Sequence, residues 1–532
     1  MEKIRLYAQS VPITFESWIL SFAGIVLVRI FFEQFSSFLL GRFPIIEMPT
    51  IIHYSVFYLA SIVTLMIVLM YFAKTTLKEV SVIALFGLLA LWIAPLVDLA
   101  TGGVGGHIMS YLFASGKELF FQYITYFSSG DINSGVTLGI KIEGMFLAIF
   151  GYMYVYTITK NIIKSIGAVI AFYSFMFLLG SLPSLIALFL PQENGVLNSI
   201  VSSIISSQVI INNVHPSFSA TNLGLIDLAF NKIMLGSNII IAMFATFSLF
   251  FIHTQKKLIA IIKNSRPERI FFFFLLGIFG MYLASTTWST NWIDIQSYLL
   301  TIVAFICAGM FSICQNDIQD EKIDSVSNTT RPLITKDLSK NDMEIASKIF
   351  LGFAFLSAYA VGYYTLFFVS FFIFIYYIYS NPPLRLKRFV ILNSFLISLA
   401  CLVVIMAGFF LITPNKTITN FPFSLVLIVI ILFSTISNFK DIKDIEGDRA
   451  DGIKTLPVIL GLEKSKKLIA GTNSLLFLII PWYLHSSFLI VPSIITSLLL
   501  WYFITDVNYK EWKVFAIYIT YLIFIISTIF LK

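Results

Sequence analysis

Cysteine and charge are what this 532-residue sequence has least of: there are three Cys, and Asp, Glu, Lys and Arg together make up only 12% of it. Cys307 and Cys401 sit inside apolar runs and Cys314 at the end of one. That distribution argues against a disulfide framework and suits reduced packing residues. So little charge excludes a soluble globular class. What is there instead is a hydrophobic fraction of 58%, a mean hydropathy of +0.91 and 55 Phe, arranged in apolar runs of roughly 17 to 25 residues, the length that crosses a bilayer as a helix. The opening stretch MEKIRLYAQSVPITFESWIL lacks a small-residue cleavage site, so the first span is expected to be retained. A net charge of +7 and a pI near 9.0 invite a nucleic-acid surface. The basic residues fall between the apolar runs, however, where a membrane-orientation signal accounts for them, and no nucleic-acid partner is expected.

The fold class is therefore all-α and polytopic. Spans are expected at about 18–40, 51–73, 79–98, 142–160, 166–190 and 237–255, then 270–288, 295–314, 346–362, 363–380, 390–413, 421–437, 468–483, 486–504 and 514–531. The run 346–380 has no charged loop and is divided at VGYYT because it is too long for one crossing. The basic stretch QKKLIAIIKNSRPER, 255–269, reads as a linker between a six-span N-terminal domain, 1–255, and a nine-span C-terminal domain, 256–532. In the second domain Lys and Arg collect before the first span and after the even-numbered ones, with only Lys416 and Lys532 opposite. The positive-inside rule then puts the even loops in the cytoplasm of a cell-membrane protein. The N-terminal half is less polarised: Lys3, Arg5, Lys74, Lys78, Lys160 and Lys164 fall inside, against Arg42, Lys117, Lys141 and Lys232 outside.

Against this apolar background one stretch stands out, CQNDIQDEKIDSVSNTTRP, 314–332. Asp317, Asp320 and Asp324 follow an i, i+3, i+7 spacing, with Asn316 beside them. On one helix these carboxylates would share a face and repel, unless a hard divalent cation neutralises them. NFKDIKDIEGDRADGIKTLPVILG repeats the spacing with Asp441, Asp444 and Asp448, again after an even-numbered span. A single copy reads equally well as a solvated loop helix. Two copies at the same membrane face can hold two Mg²⁺ ions with a polyphosphate between them, since Mg²⁺ takes one or two carboxylates plus phosphate oxygens.

On these residues the sequence resembles the UbiA superfamily of intramembrane prenyltransferases. The family's first motif, N-D-x-x-D-x-x-x-D, is matched by Asn316, Asp317, Asp320 and Asp324, and its second, D-x-x-D-x-x-G-D, by Asp441, Asp444, Gly447 and Asp448. The strings SRPERI, NTTRPLITKDLS, YSNPPLRLKR and GIKTLPVILG agree as well, so the resemblance covers about residues 260–532. It implies a nine-helix bundle and a Mg²⁺-dependent transfer of an isoprenyl group from a prenyl diphosphate to a hydrophobic lipid or aromatic acceptor, in an ether-lipid, quinone or porphyrin-type pathway. The acidic motifs would hold the metal. Arg266, Arg331, Lys387 and Lys440 are the candidate diphosphate clamp, with Arg388 and Lys454 behind them, although each alone also reads as a topology signal. Tyr379 either contacts the diphosphate or the developing cation, or is an interfacial aromatic. Gly447 and Gly452 are expected to let the backbone turn around the second motif.

Two features compete with or lie outside that reading. An ion- or proton-coupled secondary transporter would also use membrane acids, but near mid-span. The N-terminal half matches no family. DLATGGVGGHIMSYLFASGKELFFQYITYF, 98–127, suggests a Gly-rich turn and an amphipathic or re-entrant helix, with His107 an interfacial residue. The region 191–236 reads as an external loop containing a surface helix. Arg29 and Glu33, one turn apart in the first span, form either a neutralised pair or a polar site within the bundle.

Overall fold

A computed structural model describes residues 1–41, 48–102, 115–127, 136–189, 196–209, 222–285, 287–414 and 417–530. His107, most of the Gly-rich stretch, Arg42, Lys416 and Lys532 lie outside them. Every regular element among the described residues is helical, and thirteen helices are long and apolar enough to span a membrane. The two further expected spans also fold as helices, Leu462–Tyr483 and Glu511–Phe530.

The chain divides into two compact units, Met1–Ser207 with Pro216–Gln255, and Gln208–His215 with Lys256–Lys532. The basic stretch expected as a linker is helical for most of its length. The helix Asn222–Lys263 is interrupted at Thr254, where φ is −138° and ψ 51°, and continues to Lys263 before the chain turns at Asn264–Arg266.

In the first unit a short N-terminal helix, Glu2–Ser10, is fastened to the bundle through Glu79. That carboxylate accepts from Arg5 Nε at 2.8 Å, Gln9 Nε2 at 2.7 Å and Tyr154 Oη at 2.9 Å. Gly116–Thr125 and Val196–Ser206 are the short helices found within the two stretches read as a re-entrant and a surface helix.

In the second unit the helices Pro267–Ala284 and Val390–Ile412 cross almost backbone to backbone. A Cβ on Gly280 would meet the Ile405 carbonyl oxygen at 2.0 Å, and one on Gly408 the Gly277 carbonyl oxygen at 2.1 Å. Without a hydrophobic drive between helices in lipid, small residues of this kind let van der Waals packing hold the bundle. The crossing runs the two helices in the same direction, so Arg266 and Arg269, at the start of one, share an end of the bundle with Lys387 and Asn393, at the start of the other. Gly362 alone separates Lys340–Val361 from Tyr363–Ser380, inside the VGYYT stretch. The three cysteines are free and buried.

Candidate active site

The first acidic segment is not one continuous helix. Trp292–Gln319 carries Asn316 and Asp317 in its last turn, Asp320 caps it with φ −100° and ψ 12°, and a new helix, Glu321–Ser327, carries Asp324. The expected shared face is thus broken at Asp320, and each carboxylate finds partners of its own. Asp317, 2% exposed, accepts from Asn264 Nδ2 at 2.6 Å and Arg266 Nη2 at 2.5 Å. Asp320 pairs with Lys387 and, at 2.9 Å, with Arg385. Asp324 accepts from Asn328 Nδ2 at 2.8 Å. Arg266 and Arg385 both hold left-handed backbone, φ +52° and +43°, a costly conformation for a residue with a Cβ that persists where surrounding contacts fix it.

The second segment follows the same pattern. A 3₁₀ turn, Ser437–Ile442, presents Lys440 and Asp441, Asp444 precedes the helix Ile445–Ala450, and Asp448 lies within it. Asp441 accepts from Asn393 Nδ2 at 3.0 Å, and Asp448 from Thr455 Oγ1 at 3.2 Å. Asn328 joins the two segments, because its Nδ2 also reaches Asp444 Oδ1 at 3.2 Å. Gly447 corrects its expected role. Its backbone is helical, and what its missing side chain permits is close approach: a Cβ there would stand 2.4 Å from Ser327 Oγ and 2.8 Å from Ile323 Cγ2. Gly452, with φ +72°, does form a turn.

Between the segments lies a cavity of about 210 Å³. Asn316, Asp320, Asp324, Asp441, Asp444 and Asp448 line it, as do the four expected clamp residues Arg266, Arg331, Lys387 and Lys440, and Tyr379. Asp317 is absent from the wall and holds Arg266 and Asn264 from behind. Arg388 and Lys454 are also off the wall; the Arg388 side chain is 48% exposed, 3.9 Å from Asp451. Tyr379 is part of a tight group: Lys440 Nζ donates to its hydroxyl at 2.7 Å, and the hydroxyl donates to Asn393 Oδ1 at 2.9 Å.

Several residues of the site escape sequence reasoning. Arg269 and Lys443 add two cations to the wall, and Glu511, at the start of the last helix, holds both, accepting from Arg269 at 2.9 Å. Arg269 stands one turn beyond Arg266, the only signal that could have found it. Asn393 lies in an apolar helix and Glu511 follows a short loop, and neither shows a motif.

Burial raises Asp448 and Asp324, two of the carboxyls that face this cavity. Asp448 is pushed up to about 7 by burial first and then by Asp441 and Asp444. Asp324 rises to about 6 through burial and Asp317, opposed by Arg331. Burial also lowers Lys387 and Arg266, against the pull of Asp320 and Asp317. Six cations and five carboxylates thus share one small, partly apolar chamber, where charge–charge interactions are strong and a polyanion with its counter-ions would replace internal pairs.

Among the described residues no three His, Cys, Asp or Glu side chains converge on one point to make a ready metal cage. The donor set of the wall is nonetheless all oxygen, from Asp carboxylates and the Asn316 amide. That suits Mg²⁺, which keeps waters and takes ligands from substrate phosphates as well as protein.

Residues 270–525 match the model of the UbiA prenyltransferase family. Naringenin 8-dimethylallyltransferase 2, chloroplastic, from Sophora flavescens is 35% identical over 177 residues, 31% of this chain and 42% of that protein. Digeranylgeranylglyceryl phosphate synthase from Thermococcus sibiricus is 31% identical over 172 residues, 32% of this chain and 59% of that enzyme. The chain thus spans about half the length of these two relatives. A solved UbiA homolog from Archaeoglobus fulgidus, bound to GPP and Mg²⁺, aligns with a TM-score of 0.40 and 20% identity, covering 50% of this chain and 99% of that one.

Proposed function

We propose that this chain, whose residues 270–525 match the model of the UbiA prenyltransferase family, is an integral-membrane prenyltransferase of that family. It moves an isoprenyl group from a prenyl diphosphate to a lipid or aromatic acceptor, at a site on the cytoplasmic side. The observation that carries this reading is the bridge of Asn328 between Asp324 and Asp444, which sets the two acidic segments face to face across one cavity lined with cations.

In this reading the allylic carbon–oxygen bond breaks with its electron pair on the departing diphosphate, and a new bond forms to the acceptor, which gives up a proton. Mg²⁺, when bound by Asp320, Asp324, Asp441, Asp444, Asp448 and Asn316, would stabilise charge on the leaving group. Arg266, Arg331, Lys387 and Lys440, together with Arg269 and Lys443, grip the diphosphate oxygens through charge-assisted hydrogen bonds. Asp317 keeps Arg266 aimed at the cavity. Lys387 is paired with Asp320 here; with Asp320 engaged as a metal ligand, Lys387 would be free to donate to a phosphate oxygen. Phe273, Phe372, Phe433 and Phe515 line the same cavity, giving the chain tail an apolar wall and keeping water from the cationic carbon. Tyr379, fixed by Lys440 and Asn393, presents its ring and hydroxyl to that carbon.

The transporter alternative needs acids near mid-span. Here Asp320, Asp324, Asp444 and Asp448 all follow the ends of spanning helices, which favours the enzyme. The test is Mg²⁺-dependent release of diphosphate from geranylgeranyl or farnesyl diphosphate by the purified full chain. Full turnover in both Asp320→Ala and Asp448→Ala would end this reading.

A further inference from the structure

The first unit contains a polar cluster that prenyl transfer does not use. Arg29 lies in the middle of the spanning helix Phe15–Leu39, 4% exposed, paired with Glu33 one turn on. Its guanidinium sits 5.2 Å from the ring centroid of Tyr58, on the helix Met48–Ala73. Glu143, from Leu138–Thr159, acts electrostatically on the same guanidinium. Asp98, from Ile93–Thr101, acts in turn on Glu143.

Among the described residues, the charged groups bearing on Glu143 are Arg29, Glu33 and Asp98, with the Tyr58 phenol beside them. The other elements packed against its helix bring no further charge to it. Lys164 of Ile162–Gly180 is exposed, Tyr173 of that helix donates to the Tyr123 carbonyl, and Glu79 of Leu77–Leu88 is occupied at Tyr154, three turns further along. Two carboxylates, Glu33 and Glu143, therefore bear on one guanidinium, and a third, Asp98, bears on Glu143.

Asp98 is satisfied by Thr137 Oγ1 at 2.6 Å and the Gly139 amide at 2.9 Å. Glu143 is not. Its Oε2 has no hydrogen-bond partner although the residue is 8% exposed, and the hydroxyl of Tyr58, 2% exposed, has none either. Excess negative charge and unpaired oxygens inside a bilayer are costly, and such residues persist where something neutralises them. The occupant is positive, because an anion would meet three carboxylates. It is small and singly charged, because in this cluster Glu143 Oε2 is the buried carboxylate oxygen without a partner, Asp98 being held by Thr137 and Gly139 and Glu33 by Arg29.

We propose that Glu143 and the Tyr58 hydroxyl, steered by the Arg29 and Glu33 pair, form a site for one small monovalent cation, a proton or Na⁺, within the N-terminal unit. The unit then has a cation-responsive chemistry of its own, and this inference does not depend on the prenyltransferase reading.

The full chain in detergent tests it, by infrared difference spectroscopy on acidification over roughly pH 9 to 5 with NaCl or choline chloride at equal ionic strength. A buried protonated-carboxyl band that is lost in Glu143→Gln identifies the proton as occupant. Suppression of that band by Na⁺, with a Na⁺-specific rise in thermal midpoint that Glu143→Gln abolishes, identifies Na⁺. Tyr58→Phe keeps the ring over Arg29 and removes the hydroxyl; it is expected to shift the same cation dependence, and it serves where Glu143→Gln does not fold. Absence of both the band and the Na⁺ effect, or persistence of either unchanged in the variants, overturns the proposal.

Discussion

The side-chain amide of Asn328 lies 3.2 Å from the carboxylate of Asp444, 116 residues away in sequence, while donating to Asp324 at 2.8 Å. One amide therefore sets the spacing of the two acidic segments. Both of its hydrogens are used, so no isosteric residue can replace it: Asp would add charge to two carboxylates, and Leu would leave both without that donor. Asn328→Leu is expected to cut turnover by roughly 10- to 100-fold, the equivalent of about 1–3 kcal/mol for lost polar partners. Steady-state diphosphate release checks it, and a variant equal to the parent would show that the bridge does not matter.

Gly447 sits where the helices of the two segments touch. Gly447→Ala forces a methyl to within 2.4 Å of Ser327 Oγ. Overpacking of this kind costs about 1–3 kcal/mol, and the expected result is a lower thermal midpoint together with weaker activation by Mg²⁺. The double variant Gly447→Ala, Ser327→Gly should recover part of both.

The raised carboxyls make the site sensitive to pH. Asp448 at about 7 and Asp324 at about 6 hold protons that the unfolded chain has already lost. Between the unfolded value near 4 and these folded values the native state binds more protons, so the metal-free protein loses stability as pH rises through 6 and 7. Its thermal midpoint is expected to be higher at about pH 5.5 than at about pH 8. Metal ligation needs the deprotonated form, so the Mg²⁺ concentration for half-maximal activity should rise as pH falls below about 7. Asp448→Asn should flatten that dependence and reduce turnover by about 100- to 1,000-fold, the scale seen when one transition-state contact is removed.

Asn393 orients two parts of the site at once. Its Nδ2 donates to Asp441, and its Oδ1 accepts from Tyr379 and, at 3.3 Å, from Lys440. Asn393→Leu leaves that Asp, Tyr and Lys without the shared amide. Turnover is expected to fall about tenfold or more, with little change in the KM for prenyl diphosphate. A rise in KM at unchanged kcat would contradict this positioning role.

Glu511 anchors Arg269 and Lys443 on the cavity wall. Glu511→Gln frees both cations to move, and the expected effect is a severalfold higher KM for prenyl diphosphate. Strong salt sensitivity of KM in the variant, absent from the parent, would distinguish lost positioning from general destabilisation.

The class of the protein, the places of its spans and the two acidic segments were readable from sequence, because hydropathy is a local quantity and the acidic spacing falls within eight residues. The same locality explains what was misplaced. A spacing of i, i+3, i+7 promises one helical face only if the helix continues, and at Asp320 it does not. Asp317 looked equivalent to Asp320 and Asp324, yet packing turned it toward Asn264 and Arg266, away from the cavity. Arg269 meets Glu511 across 242 residues, Asn393 meets Asp441 across 48, and Gly447 meets Ser327 across 120. The sequence by itself determined which groups are charged and that the acidic segments follow the ends of apolar runs. Only tertiary structure decided which of them face one another, since that depends on how closely packed helices bring distant backbone ends together.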